Sequence, residues 1–109
     1  MKKFLVILAI IFFAHNSKAK ADITEFKIQI KDHKFIPSTI SAPANEKIKL
    51  IVENLDSTIE EFESSDLSRE KLVGSGKSIN ITVGPLEPGK YSFFGEFHPK
   101  TAQGTLIIK

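Results

Sequence analysis

The sequence predicts an all-β protein, an antiparallel Greek-key β-sandwich of seven to eight strands, and three observations carry that expectation. Apolar and polar residues alternate at period two in one segment after another. Turn signals, among them Asn54-Leu-Asp-Ser, Gly84-Pro85 and Pro88-Gly89, separate those segments at short intervals. No segment sustains a 3.6-residue period.

Each element has its own warrant. Residues 24–30 set Phe26, Ile28 and Ile30 against Glu25, Lys27 and Gln29, the pattern of a half-buried strand. Residues 35–43 contain Pro37 and Pro43, and proline cannot donate to a ladder, so this is an edge strand with bends. Residues 46–53 place Ile48, Leu50 and Val52 on one face. A short acidic strand follows at 59–64, then a turn or single helical turn at 65–71, too short for an independent helix. Residues 77–83, 90–94 and 104–109 complete the set.

Composition sets the limits on chemistry. Of 109 residues 41% are hydrophobic, enough for a core, and the absence of cysteine excludes disulfides and every thiolate-ligated metal. Lys2 and Lys3, the apolar run 4–14 and Ala19-Lys-Ala form a secretory signal, so residues 1–21 are expected to be cleaved and the protein to be periplasmic. Eleven apolar residues are too few to span a bilayer, so the processed chain is not expected to cross the membrane. The remaining domain, residues 22–109, carries 11 basic and 13 acidic residues. It has no basic cluster interleaved with aromatics, which argues against nucleic acid as a partner. Gly74-Ser-Gly-Lys lacks phosphate-loop spacing, and no nucleophilic triad is evident.

Three features remain. Glu60, Glu61 and Glu63, with Asp66 and Glu70 beyond, are acidic on a strand, where charges also serve to block edge pairing. Gly95-Glu-Phe-His98-Pro follows the aromatic strand Tyr91-Ser-Phe-Phe, and His33 sits in the turn Lys31-Asp-His-Lys. Greek-key connectivity brings the loops holding His33, Glu60 and His98 to one end of the sandwich. Alternation turns Glu60, Phe62 and Ser64 inward and Glu61 and Glu63 outward. Gly95 also points inward, where it leaves space for a metal, a water or a ring, while Glu96 faces the other way.

Several blocks in order resemble the cupredoxins over the whole of residues 22–109: Phe35-Ile-Pro, Ile40-Ser-Ala-Pro-Ala, Val52-Glu-Asn-Leu-Asp-Ser-Thr, Pro88-Gly-Lys-Tyr-Ser-Phe-Phe, His98-Pro and Gly104-Thr-Leu-Ile-Ile. In that alignment the first ligand histidine falls on Glu60, the copper cysteine on Gly95, the second histidine on His98, and the methionine near Gln103. The strings 61–71 and 94–104 resemble a narrower branch of periplasmic cupredoxin-domain proteins associated with high-affinity ferrous-iron uptake. The resemblance implies a metal site built from Glu60, Glu96 and His98, with His33, Glu61, Glu63 and Gln103 as further candidates. Mixed oxygen and nitrogen donors suit a copper or an iron ion. The implied role is to bind, deliver or help oxidise Fe(II) beside a membrane iron permease or its periplasmic partners. A ferroxidase is a second expectation, although one mononuclear site offers no route to four-electron oxygen reduction. The third is a metal-free recognition module that docks a partner through the acidic strand 60–66.

Overall fold

A computed structural model of the chain describes residues 23–109; the expected signal segment, residues 1–21, lies outside them. The described residues contain nine strands and no helix: β1 (Ile23–Lys31), β2 (Lys34–Ile36), β3 (Thr39–Ala42), β4 (Lys47–Asn54), β5 (Glu60–Ser64), β6 (Arg69–Val73), β7 (Ser78–Val83), β8 (Gly89–Gly95) and β9 (Gln103–Ile108). One sheet has the order β2-β1-β4-β7 and the other β3-β9-β8-β5-β6. The strand pairings of both sheets lie within residues 23–109.

Three details differ from the sequence reading. The proline-bearing segment divides into β2 and β3, one at the edge of each sheet, because Pro37 ends the first pairing and the chain crosses to the other layer. Residues 69–73 form a strand rather than a turn. Their polar run shows no apolar alternation, and pairing with β5 is what makes them extended. The ladders are also mixed, β1 running parallel to β4 and β3 to β9.

The core lies between the layers. Ile28, Ile30, Phe35, Ile48, Leu50, Val52, Ile81 and Val83 of the first sheet meet Ile40, Phe62, Val73, Phe93, Leu106 and Ile108 of the second, all buried. Phe35, Phe62 and Phe93 form its aromatic centre, with ring centroids 5.0–6.2 Å apart in stacked and edge arrangements. Gly104 is required there, since a Cβ would collide with the Phe93 ring.

The flank between β6 and β7 is closed by cations. Register puts Arg69 opposite Ser64 and Lys71 opposite Phe62, so both share the inward side. Arg69 Nε and Nη2 donate to the Thr82 carbonyl at 3.2 and 2.9 Å, and Lys71 Nζ donates to Asn80 O at 3.3 Å. Carbonyls on an edge strand are thereby occupied, which protects that edge from foreign pairing. The same alternation leaves Glu61, Glu63 and Glu70 on the outer surface without these cations.

Candidate functional site

The loops that leave β1, β4 and β8 meet at one end of the sandwich, as expected. Asp32 and His33 join β1 to β2 as a two-residue hairpin turn in which both residues have positive φ, 53° and 60°. Asp56 holds this unusual backbone: its Oδ1 accepts from Asp32 N at 2.8 Å and its Oδ2 from His33 N at 2.9 Å. Partial burial works against the charge, but these two hydrogen bonds and the nearby His33 and Lys31 keep the Asp56 carboxyl below the ordinary aspartate range. Asn54, fully buried, fixes the Asp56 loop by donating to Thr58 O and Val73 O and accepting from Asp56 N.

Glu60 is the centre of this end. It is 1% exposed, and its carboxylate is fully engaged. Oε1 accepts from Glu61 N at 2.9 Å and Phe97 N at 2.8 Å, while Oε2 lies 2.8 Å from His98 Nδ1. With Glu60 ionised, this contact is a hydrogen bond that His98 Nδ1 donates. The His98 ring stacks on His33, with centroids 3.5 Å apart and planes 7° from parallel. Glu60, His98 and His33 therefore form one neighbourhood, and it spans both sheets.

Gly95 does not leave an open space. A Cβ there would lie 2.6 Å from both Cδ and Oε2 of Glu60 and 2.8 Å from Ala102 Cβ. The Glu60 carboxylate, reaching across from β5, has taken the volume that a cysteine side chain would need. Glycine at position 95 is what admits it.

The other candidates separate from this cluster. Glu96 follows the end of β8 and is exposed; its backbone N–H donates to Glu61 O, and its charge acts on the outer acids Glu61 and Glu63. Gln103 is exposed, and its Nε2 donates to Pro99 O at 3.1 Å, bracing the loop. Glu61 and Glu63 face outward and join Glu70, a residue the sequence reading left outside the ligand set. One carboxylate oxygen from each of the three lies within 4.8 Å of the others. The signal for Glu70 was the hairpin register, which sets it directly opposite Glu63. Partial burial and the carboxyl of Glu70, through repulsion and a shared hydrogen bond, push Glu61 above the ordinary glutamate range, with Glu63 and Glu96 adding to it. Glu63 is raised by partial burial, Glu70 and Glu96.

A sandwich of two mixed sheets with His98 on the loop after the penultimate strand is the architecture of a cupredoxin-like domain. The chain belongs to the cupredoxin-like domain family, whose model matches residues 4–108. It is 52% identical over 108 residues to a protein of Rickettsia prowazekii (strain Madrid E) described as uncharacterized protein RP394, covering 95% of this chain and 86% of that one. Among solved structures it resembles the metal binding domain of the Streptococcus pneumoniae D39 Cu(I) exporting P-type ATPase CopA with Cu(I), at a TM-score of 0.72 and 16% identity over 80% of this chain and 86% of that one. It also resembles auracyanin A, a "blue" copper protein of Chloroflexus aurantiacus, at a TM-score of 0.70 and 12% identity over 81% of this chain and all of the other. At these identities the structural likeness establishes the fold.

The residues present do not fit the blue-copper ion of such proteins. There is no thiolate, and the place for one is filled by Glu60. Glu60 already meets three protein groups through its two oxygens. Ring lone pairs lie in the ring plane, so two imidazoles stacked 7° from parallel do not converge on one ion.

Proposed function

We propose that this is an exported cupredoxin-fold protein that carries iron as cargo on its outer acidic face and hands it to a membrane iron permease. The observation that supports the reading is the gathering of Glu61, Glu63 and Glu70 oxygens within 4.8 Å on an accessible surface. Like charges held this close destabilise each other, and a cation between them relieves the repulsion. Carboxylates are hard donors suited to iron. Three such donors leave positions open to water, which favours rapid release over tight retention. Glu60 and His98 then serve as frame rather than ligands.

Anaerobic titration calorimetry of residues 22–109 with Fe(II), and separately with Cu(II), tests this. The expected result is one-to-one Fe(II) binding that weakens at least about tenfold in Glu61→Gln/Glu63→Gln/Glu70→Gln and persists in His98→Ala. Loss in His98→Ala would move the metal to the sandwich end. No binding, or binding indifferent to the three glutamates, would end the cargo reading.

One observation favours a second reading, a recognition module. Leu72 is 51% exposed and pairs with Glu61 in register, so an apolar side chain sits among the acids. An ion has no use for it, whereas a basic partner loop does. Glu61→Lys/Glu63→Lys would then abolish capture of the permease loop, with no metal required.

A further inference from the structure

The outer face of the four-stranded sheet has the opposite charge. Alternation turns Glu25, Lys27 and Lys31 of β1, Lys34 of β2, and Lys47, Lys49 and Glu53 of β4 outward, five lysines against two glutamates. Both glutamates are engaged. Glu25 pairs with Lys49 at 3.3 Å, and Glu53 accepts from Gln29 Nε2 at 3.3 Å. β7 adds only Ser78, Asn80 and Thr82. Lys31 and Lys34 are direct cross-strand partners, a like-charge juxtaposition that costs stability in isolation. Asp32 and Asp56, the latter acted on by the Lys31 charge, lie beyond the strand ends in the turn and loop.

This positive surplus sits on a domain whose acids outnumber its bases. Ile23 and Ile36, each 49% exposed, share the face, and Ile51 is half-buried within it. A cleft of about 450 Å³ lined by Ser38, Ser92 and Gly104 lies on the other sheet. A broad basic strand surface dotted with aliphatic side chains matches an extended anionic plane better than a small anion.

We propose that this face docks on an anionic lipid bilayer. Lysines near such a surface are attracted by its negative potential, and the attraction falls away over a Debye length. Ile23 and Ile36 reach the headgroup boundary. The acidic face on the opposite layer is left turned to solvent. The proposal stands apart from the cargo reading because lipid binding is measured here without any metal.

The test is co-sedimentation of residues 22–109, in the presence of chelator, with vesicles of phosphatidylcholine alone and of phosphatidylcholine mixed with phosphatidylglycerol. Binding is expected only to the mixed vesicles, weakening as salt rises. Lys27→Glu/Lys31→Glu/Lys34→Glu should weaken it at least about tenfold, and Glu61→Gln/Glu63→Gln should leave it unchanged. Should the reversal variant fail to fold, the same three lysines changed to Gln provide the comparison. Equal binding to both compositions, or undiminished binding by the lysine variants, would overturn the proposal. So would capture by polyglutamate without vesicle binding, which assigns the face to an acidic protein. Low-salt self-association abolished by the same variants would assign it to a second copy.

Discussion

Glu60 and Glu61 are neighbours in sequence, yet they occupy opposite chemical worlds. Glu60 points into the sandwich, where three protein donors satisfy its carboxylate. Glu61 points out, where Glu70, Glu63 and Glu96 crowd it with like charge. One step of strand alternation separates a carboxylate that organises the fold from one that the fold leaves frustrated. The residue type carries no role; its side of the sheet does. The inner glutamate fills the space beside Gly95, and the outer ones offer a charge that no cation among the described residues pairs with.

The strongest way to break this comparison is to remove each glutamate in turn. Glu60→Ala leaves Phe97 N, Glu61 N and His98 Nδ1 without their acceptor and opens a void beside Gly95. Breaking a buried pair from one side costs about 3–5 kcal/mol. Glu61→Gln removes repulsion on the surface and should leave stability nearly unchanged or slightly raised. Denaturant unfolding of the two variants checks both expectations. Similar losses for the two would mean that the division between inner and outer acids is false.

A second test concerns the exchange between positions 60 and 95. Gly95→Ala places a methyl 2.6 Å from the Glu60 carboxylate and 2.8 Å from Ala102 Cβ, an overpacking expected to cost about 1–3 kcal/mol. In a Glu60→Ala background the carboxylate is gone and only the Ala102 contact remains, so the added cost should shrink. Residues in contact couple by about 0.5–3 kcal/mol, which a double-mutant cycle resolves. Strict additivity would show that the carboxylate does not occupy this volume.

Much of this was legible in the sequence. Alternation alone turned Glu60, Phe62 and Gly95 inward and Glu61 and Glu63 outward, and Greek-key connectivity brought His33 and His98 together. What fills the space beside Gly95 was not legible. It depends on the pairing of Phe62 with Gly95, which sets Glu60 two residues from the join, and on how far a glutamate side chain reaches between strands. Glu70 was missed for a related reason: a run of Arg, Glu and Lys has no apolar signal, so its strand and its place opposite Glu63 exist only through register. Glu96 was grouped with Glu60 and His98 in the expected metal site although alternation already turned it the other way, and the structure keeps it exposed beside the outer acids.

The smallest effect is the most specific to the outer acids, and its sign can be worked out. Glu61 and Glu63 are raised in the folded protein, so the native state holds more protons than the unfolded one between the ordinary glutamate value and the raised one. Stability from this cluster therefore falls as pH rises through that window, and the full penalty persists above it. Asp56 and Asp66 act in reverse. Partial burial opposes ionisation at Asp56, yet the His33 and Asp32 amides outweigh it, and at Asp66 the Ser92 N–H and hydroxyl both donate to the carboxylate. Their contribution is present above the ordinary aspartate value and is lost as pH falls through the depressed ones. Glu61→Gln/Glu63→Gln removes only the first of these opposing slopes. Its stability should match the wild type at acid pH, exceed it increasingly as pH passes upward through the glutamate range, and then stay ahead by a constant margin. Added salt should narrow that margin, because exposed charges are screened. Unfolding midpoints across a pH series would show it, and a margin that stayed flat with pH would mean that the outer carboxylates do not repel one another.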